Sequence, residues 1–124
     1  MFKHLLSSIG IDGMTVDTLV NNNRFDTNER VEGVIHIRRD RHHIDHIELT
    51  LVERIFNDDD TSDFATYDHI LEKVSIVDDG QNNVPFSFPV PTTIKSLNNQ
   101  FFIITQLYID GAVDAYDEDE IYFI

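Results

Sequence analysis

Alternation of apolar and polar residues with a period of two dominates the chain. From 14 to 20, Met14, Val16, Thr18 and Val20 alternate with Thr15, Asp17 and Leu19; from 30 to 38, Val31, Gly33, Ile35 and Ile37 alternate with Glu32, Val34, His36 and Arg38. Successive side chains of a strand point to opposite faces, so a strand with one buried face produces this pattern. The longest such segment, 44–56, sets Ile47, Leu49, Leu51 and Ile55 on one face with a single acid, Glu53. Further strands are predicted over 67–77, 84–91, 101–109 and 119–124, which brings the expected number to seven. The segment 68–77 also fits a helix, through Ile70, Val74 and Val77, but the strand reading is preferred.

Turn residues separate these segments. Asn21-Asn22-Asn23 and Asp78-Asp79-Gly80-Gln81-Asn82-Asn83 favour reversals, and 57–63 reads as a polar loop. The start of the chain breaks the period: Phe2, Leu5, Leu6 and Ile9 fall at i, i+3, i+4 and i+7, which predicts a short amphipathic helical segment docked on the body. That run lacks the length and cleavage site of a secretory signal. No stretch approaches the roughly 20 apolar residues of a membrane span.

The most informative segment is Val84-Pro85-Phe86-Ser87-Phe88-Pro89-Val90-Pro91. Its apolar residues share one face, and all its prolines have odd numbers. Because backbone N–H direction also alternates along a strand, the missing donors all face one lateral side, which an edge strand tolerates and a central one does not. Residues 101–109, apolar on both faces at first, suit a central strand. Together these segments predict an all-β, antiparallel immunoglobulin-like β-sandwich forming a single domain over 1–124.

Composition narrows the function. With 9 Lys+Arg against 23 Asp+Glu, the formal charge of −14 repels nucleic acid and anionic bilayers, and it favours solubility. Cysteine is absent, which removes disulfides and thiol chemistry and is compatible with a cytoplasmic location.

Candidate chemistry is sparse. His36, His42, His43 and His46 cluster near one strand connection, with Asp40 and Asp45 nearby, but solvated histidines explain them more simply than a metal site. Asp58-Asp59-Asp60 and Asp117-Glu118-Asp119-Glu120 offer the oxygen donors of calcium loops without the spacing of an EF-hand. The basic stretch Arg38-Arg39-Asp40-Arg41 either docks an acidic partner or balances neighbouring carboxylates. Neither a Gly-x-Ser-x-Gly motif nor a glycine-rich phosphate loop is present, so no catalytic, cofactor or metal residue is assigned and the chain is expected not to be an enzyme.

Several blocks carry a resemblance: Phe2-Lys3 with Leu5-Leu6-Ser7-Ser8-Ile9-Gly10-Ile11, Val16-Asp17-Thr18, Arg30-Val31-Glu32-Gly33-Val34-Ile35-His36-Ile37, the proline-bracketed strand, and Leu107-Tyr108-Ile109-Asp110-Gly111-Ala112-Val113-Asp114. In this order and spacing the chain resembles the bacterial sporulation-control proteins of the arrestin-like family. The resemblance implies an arrestin-type sandwich acting as a regulatory, non-enzymatic scaffold that binds a protein partner, through its loops or by pairing a strand to an exposed edge. Such edge pairing equally allows a homodimer. The alternative is a calcium-dependent or carbohydrate-binding sandwich. Two departures stand out: Thr27-Asn28 occupies a turn that commonly holds Pro-Gly, and the sequence stops at Ile124, where family members usually continue into a second lobe.

Overall fold

The computed structural model describes residues 13–56 and 65–124. These residues contain eight strands: β1 (Thr15–Val20), β2 (Arg24–Phe25), β3 (Arg30–Arg38), β4 (Ile44–Phe56), β5 (Thr66–Ile76), β6 (Asn83–Pro89), β7 (Gln100–Ile109) and β8 (Ala115–Phe123). They form a three-stranded sheet of order β1-β3-β6 and a five-stranded sheet of order β2-β8-β7-β4-β5. Pairing is antiparallel except between β2 and β8. The expected sandwich is therefore present, and 68–76 is strand rather than helix. The predicted helical segment over 2–9 and the loop over 57–63 lie outside the described residues.

Alternation decides which residues enter the core. On β3, Val31, Ile35 and Ile37 are buried while Glu32, His36 and Arg38 are exposed. Opposite them, Leu49 and Leu51 of β4, Phe101, Ile103 and Leu107 of β7 and Ile121 of β8 are almost wholly withdrawn from water. Each such side chain contributes roughly 1.5–3 kcal/mol by leaving solvent. β7 is the middle strand of its sheet, as its two-sided apolar character implied.

Gly33 makes room where the small sheet is tightest. It pairs with Val20 of β1 and with Phe86 of β6. A Cβ on Gly33 would collide with the Leu19 carbonyl oxygen and come within 2.7 Å of the Phe86 ring.

β6 lies at the edge of its sheet. Its even-numbered residues turn their backbones toward β3, a direction continued just beyond it by the Val90 N–H, 3.4 Å from the Glu29 carbonyl. The N–H positions of Pro85 and Pro89 consequently face outward, where no donor is needed.

Two elements differ from the sequence expectation. The pair Arg24–Phe25 forms a short parallel strand on β8, anchored by the Tyr122 N–H donating to Asn23 and the Ile124 N–H donating to Phe25. β8 begins at Ala115 rather than 119, because the acidic run Asp117 to Glu120 is strand and not loop. Its alternation is hidden when four successive side chains are carboxylates.

The turn at Thr27-Asn28 is held without Pro-Gly. Asp26 accepts the Asn28 N–H with its side chain (3.1 Å) and the Glu29 N–H with its carbonyl (2.9 Å), while Glu29 accepts the Asp26 N–H (3.0 Å). Reciprocal side-chain acceptors replace the rigidity a proline would supply.

Candidate functional site

The free side of β1 faces β8, and the seam between them is acidic. The Thr18 N–H donates to Asp117 Oδ2 at 2.8 Å, so a side chain stands where a neighbouring strand would offer a carbonyl. Asp117 is fully buried. Asp17, Asp117 and Asp119 each bring a carboxylate oxygen within 4.8 Å of the others. Burial, above all, pushes the Asp119 carboxyl up to about 9, reinforced by its hydrogen bond with Asp117 and the charges of Asp117, Asp17 and Glu118. Asp119 therefore keeps its proton at neutral pH. Oxygen donors of this kind suit hard cations.

Sequence spacing flagged Asp117 and Asp119 but could not link them to Asp17. Folding does so by laying the first strand beside the last. The other expected clusters stay apart. His36 Nδ1 meets Asn83 Oδ1 at 2.7 Å, His42 Nδ1 meets Asp40 at 3.1 Å, and His46 Nδ1 meets Asp45 at 2.6 Å while its ring stacks on Tyr108 at 4.2 Å. His43 Nε2 lies 3.9 Å from Asp110. Each histidine has its own partner, and the four do not converge on one point.

The basic stretch is divided in the same way. Arg39 grips Asp78 with two hydrogen bonds of 2.9 and 2.7 Å and also reaches the Gln81 carbonyl and Asn82. The Arg39 hydrogen bond, the largest influence, holds the Asp78 carboxyl below the usual carboxylate range. Arg39 thus balances a carboxylate, one of the two roles expected of it.

Glu53, the one acid on an apolar face of the pattern, is wholly buried. Its carboxylate accepts the backbone N–H groups of Lys95 (2.9 and 3.1 Å) and Ser96 (2.9 Å) and the Asn99 side-chain amide (2.8 Å). Burial opposes its ionisation, but the Lys95, Asn99 and Ser96 donors together hold it below its ordinary range. Glu53 thereby fixes the β6–β7 connection, which borders a groove of about 410 Å³ lined by Val90, Pro91, Ile94 and Leu97.

Arg54, on the other face of β4, lies 4.3 Å from the centre of the Phe102 ring and reaches Asp68 on β5 (2.8 and 3.0 Å) and Glu118 on β8 (3.0 Å). The hydrogen bond to Asp68 chiefly raises its already high pKa. These contacts brace the sheet from one side to the other.

Beyond them lies β5, the outer strand of the larger sheet. Exposed apolar residues gather along and beside it: Tyr67 (47%), Ile70 (55%), Phe56 (73%) and Val77 (84%).

Comparison with known proteins places this architecture. The family described as SpoOM protein matches residues 2–123. The chain belongs to the SpoOM family. It is 28% identical over 130 aligned positions to sporulation-control protein spo0M of Bacillus subtilis (strain 168), covering 98% of this chain and 50% of the relative. The crystal structure of Spo0M from Bacillus subtilis superposes with a TM-score of 0.72 at 24% identity, covering 91% of this chain and 50% of that one. This SpoOM-family chain thus spans about half the length of the curated relative it matches. A superoxide reductase (neelaredoxin) from Ignicoccus hospitalis shares the fold with a TM-score of 0.56 at 13% identity, covering 89% of this chain and 80% of that one.

Proposed function

We propose that this SpoOM-family chain is a non-enzymatic, cytoplasmic regulatory module, a single sandwich domain over 1–124 that acts in sporulation control by binding a protein partner. The observation that carries this reading is how the side chains are used. The strongest ionic and polar groups are spent inside the fold: Glu53 on the β6–β7 connection, Arg39 on Asp78, and Arg54 on Asp68 and Glu118. Exposed apolar groups and an open strand, which suit protein recognition, are what the surface offers.

Among the described residues, no helix is long and apolar enough to cross a membrane. The test is native co-purification from a spore-forming host with partner stoichiometry measured. A protein retained near one-to-one in the presence of a calcium chelator supports the reading. Retention that requires calcium or a glycan, or no retained protein, overturns it.

A further inference from the structure

We propose that the outer edge of β5 is a docking strand for a short, extended, basic segment of a partner protein, which adds to the five-stranded sheet by main-chain pairing. This rests on the protein-binding reading above and names its site and partner chemistry.

Among the described residues the two sheets present four edges, namely β1, β6, β2 and β5. Three of them are poor hosts for an added strand. On β6, Pro85 and Pro89 stand where outward N–H donors would be needed. The free side of β1 is turned against β8, with the Thr18 N–H already taken by Asp117. β2 is only 2 residues long. β5 is 11 residues long, contains no proline and, among the described residues, is paired on one side only, with β4. An unpaired strand of this length offers a row of donors and acceptors that an extended peptide can satisfy.

The side chains specify the guest. Tyr67 and Ile70 are exposed on opposite faces of the strand, so an added strand meets an apolar side chain on each of its faces. Asp68 and Glu72 on β5, with Asp79 just beyond, outweigh the single cation Lys73, while Asp78 is already held by Arg39. Arg54 compensates Asp68 only in part, being shared with Glu118. Set on a chain of formal charge −14, this edge attracts lysine- and arginine-bearing segments.

The same charge argues against a second copy of this chain. Two copies of formal charge −14 repel each other, and pairing β5 with β5 brings their acidic edges together. Between Leu51 and Val52 the β4–β5 register shifts, leaving Leu71 as the extra residue on β5. The resulting bulge bends the edge and limits regular pairing to about five residues on either side of it.

The experiment uses nitrogen-15-labelled protein titrated with three seven-residue probes: Lys-Val-Thr-Val-Lys-Val-Lys, the same peptide with each Lys replaced by Glu, and the basic peptide N-methylated at alternate residues. Expected are saturable amide shifts over 66–76 with the basic probe, at least tenfold weaker binding by the other two, and at least tenfold weaker binding by the Ile70→Lys and Glu72→Lys variants. Both substituted positions are solvent-accessible, and a thermal melt confirms that the variants fold. Absence of saturable shifts, shifts centred on β6 or the 90–97 groove, equal binding of the acidic probe, or concentration-dependent protection of 66–76 in the protein alone would each overturn the proposal. If co-purification finds a partner while this titration fails, the protein-binding reading stands and the β5 assignment falls. If no partner is retained at all, the broader reading falls with it.

Discussion

Thr18 on β1 and Thr105 on β7 meet between the two sheets with their hydroxyl oxygens 2.6 Å apart, both side chains buried. One hydroxyl donates and the other accepts, so each is satisfied only by its partner's presence. Replacing one threonine by its near-isostere valine leaves the other hydroxyl buried and unpaired, at about 1–3 kcal/mol. Replacing both removes the need for the bond. Urea unfolding of Thr18→Val, Thr105→Val and the double variant is expected to show each single variant less stable than the double. Additive losses would mean that the pair is not mutually dependent.

Glu53 has the same logic with a charge in it. Truncation to alanine strands the Lys95 and Ser96 N–H groups and the Asn99 amide, for an expected loss of about 2–4 kcal/mol. Because its folded pKa is depressed, its contribution is present above the ordinary value of 4.5 and is lost as pH falls through the folded value. Hydrogen exchange should accelerate at Lys95 and Ser96 in Glu53→Ala, with much smaller changes in β3. Unchanged exchange at those two amides would refute the clamp.

These two contacts show what a sequence exposes and what it conceals. Thr18 and Glu53 were both on apolar faces of their strands by parity alone, and both are buried. The β3 and β4 boundaries were legible because buried residues recur at every second position over 31–37 and 47–51 and polar stretches flank both strands. Proline parity located the β6 edge, since a missing donor is a local property of the chain. Pairing partners are not local. Nothing near Asp17 announces Asp117, nothing near Glu53 announces Lys95, and the start of β8 was masked because consecutive acids have no apolar phase to read. The basic and histidine clusters were visible as neighbours in sequence, yet most of them lie in the β3–β4 connection, where Arg39, His42 and His43 each turn to a different carboxylate.

Proline parity also has a consequence for association. Pro85→Thr with Pro89→Thr restores outward donors on an exposed edge, which invites pairing between molecules. Sedimentation velocity is expected to show greater concentration-dependent self-association in the double variant than in the parent. Equal behaviour would mean that the prolines do not guard this edge.

Gly33 is required by space. An added methyl in Gly33→Ala has to displace either the β1 backbone at Leu19 or the Phe86 ring, so a loss of about 1–3 kcal/mol is expected, read as a lower urea midpoint. Trimming the ring in Gly33→Ala with Phe86→Leu relieves one of the two collisions. The double variant should therefore be more stable than the sum of the single losses predicts.

Asp119 opposes Glu53 in its pH dependence. Its ordinary value is 3.8 and its folded value about 9, so between these limits the unfolded chain releases a proton that the folded chain keeps. Fewer protons on the unfolded state mean that stability falls as pH rises across that window and levels off above it. An asparagine side chain in its place would preserve the shape and hydrogen-bonding capacity of the protonated acid without being able to ionise. Asp119→Asn is thus expected to stabilise the protein at pH 8 by on the order of 1–2 kcal/mol, after discounting for the partial exposure of the carboxyl. It should also flatten the alkaline decline in melting temperature. Asp17→Asn, which removes a neighbouring charge but not the titrating group, should make the decline end at a lower pH without abolishing it. If Asp119→Asn leaves the alkaline decline unaltered, the retained proton resides elsewhere in the seam.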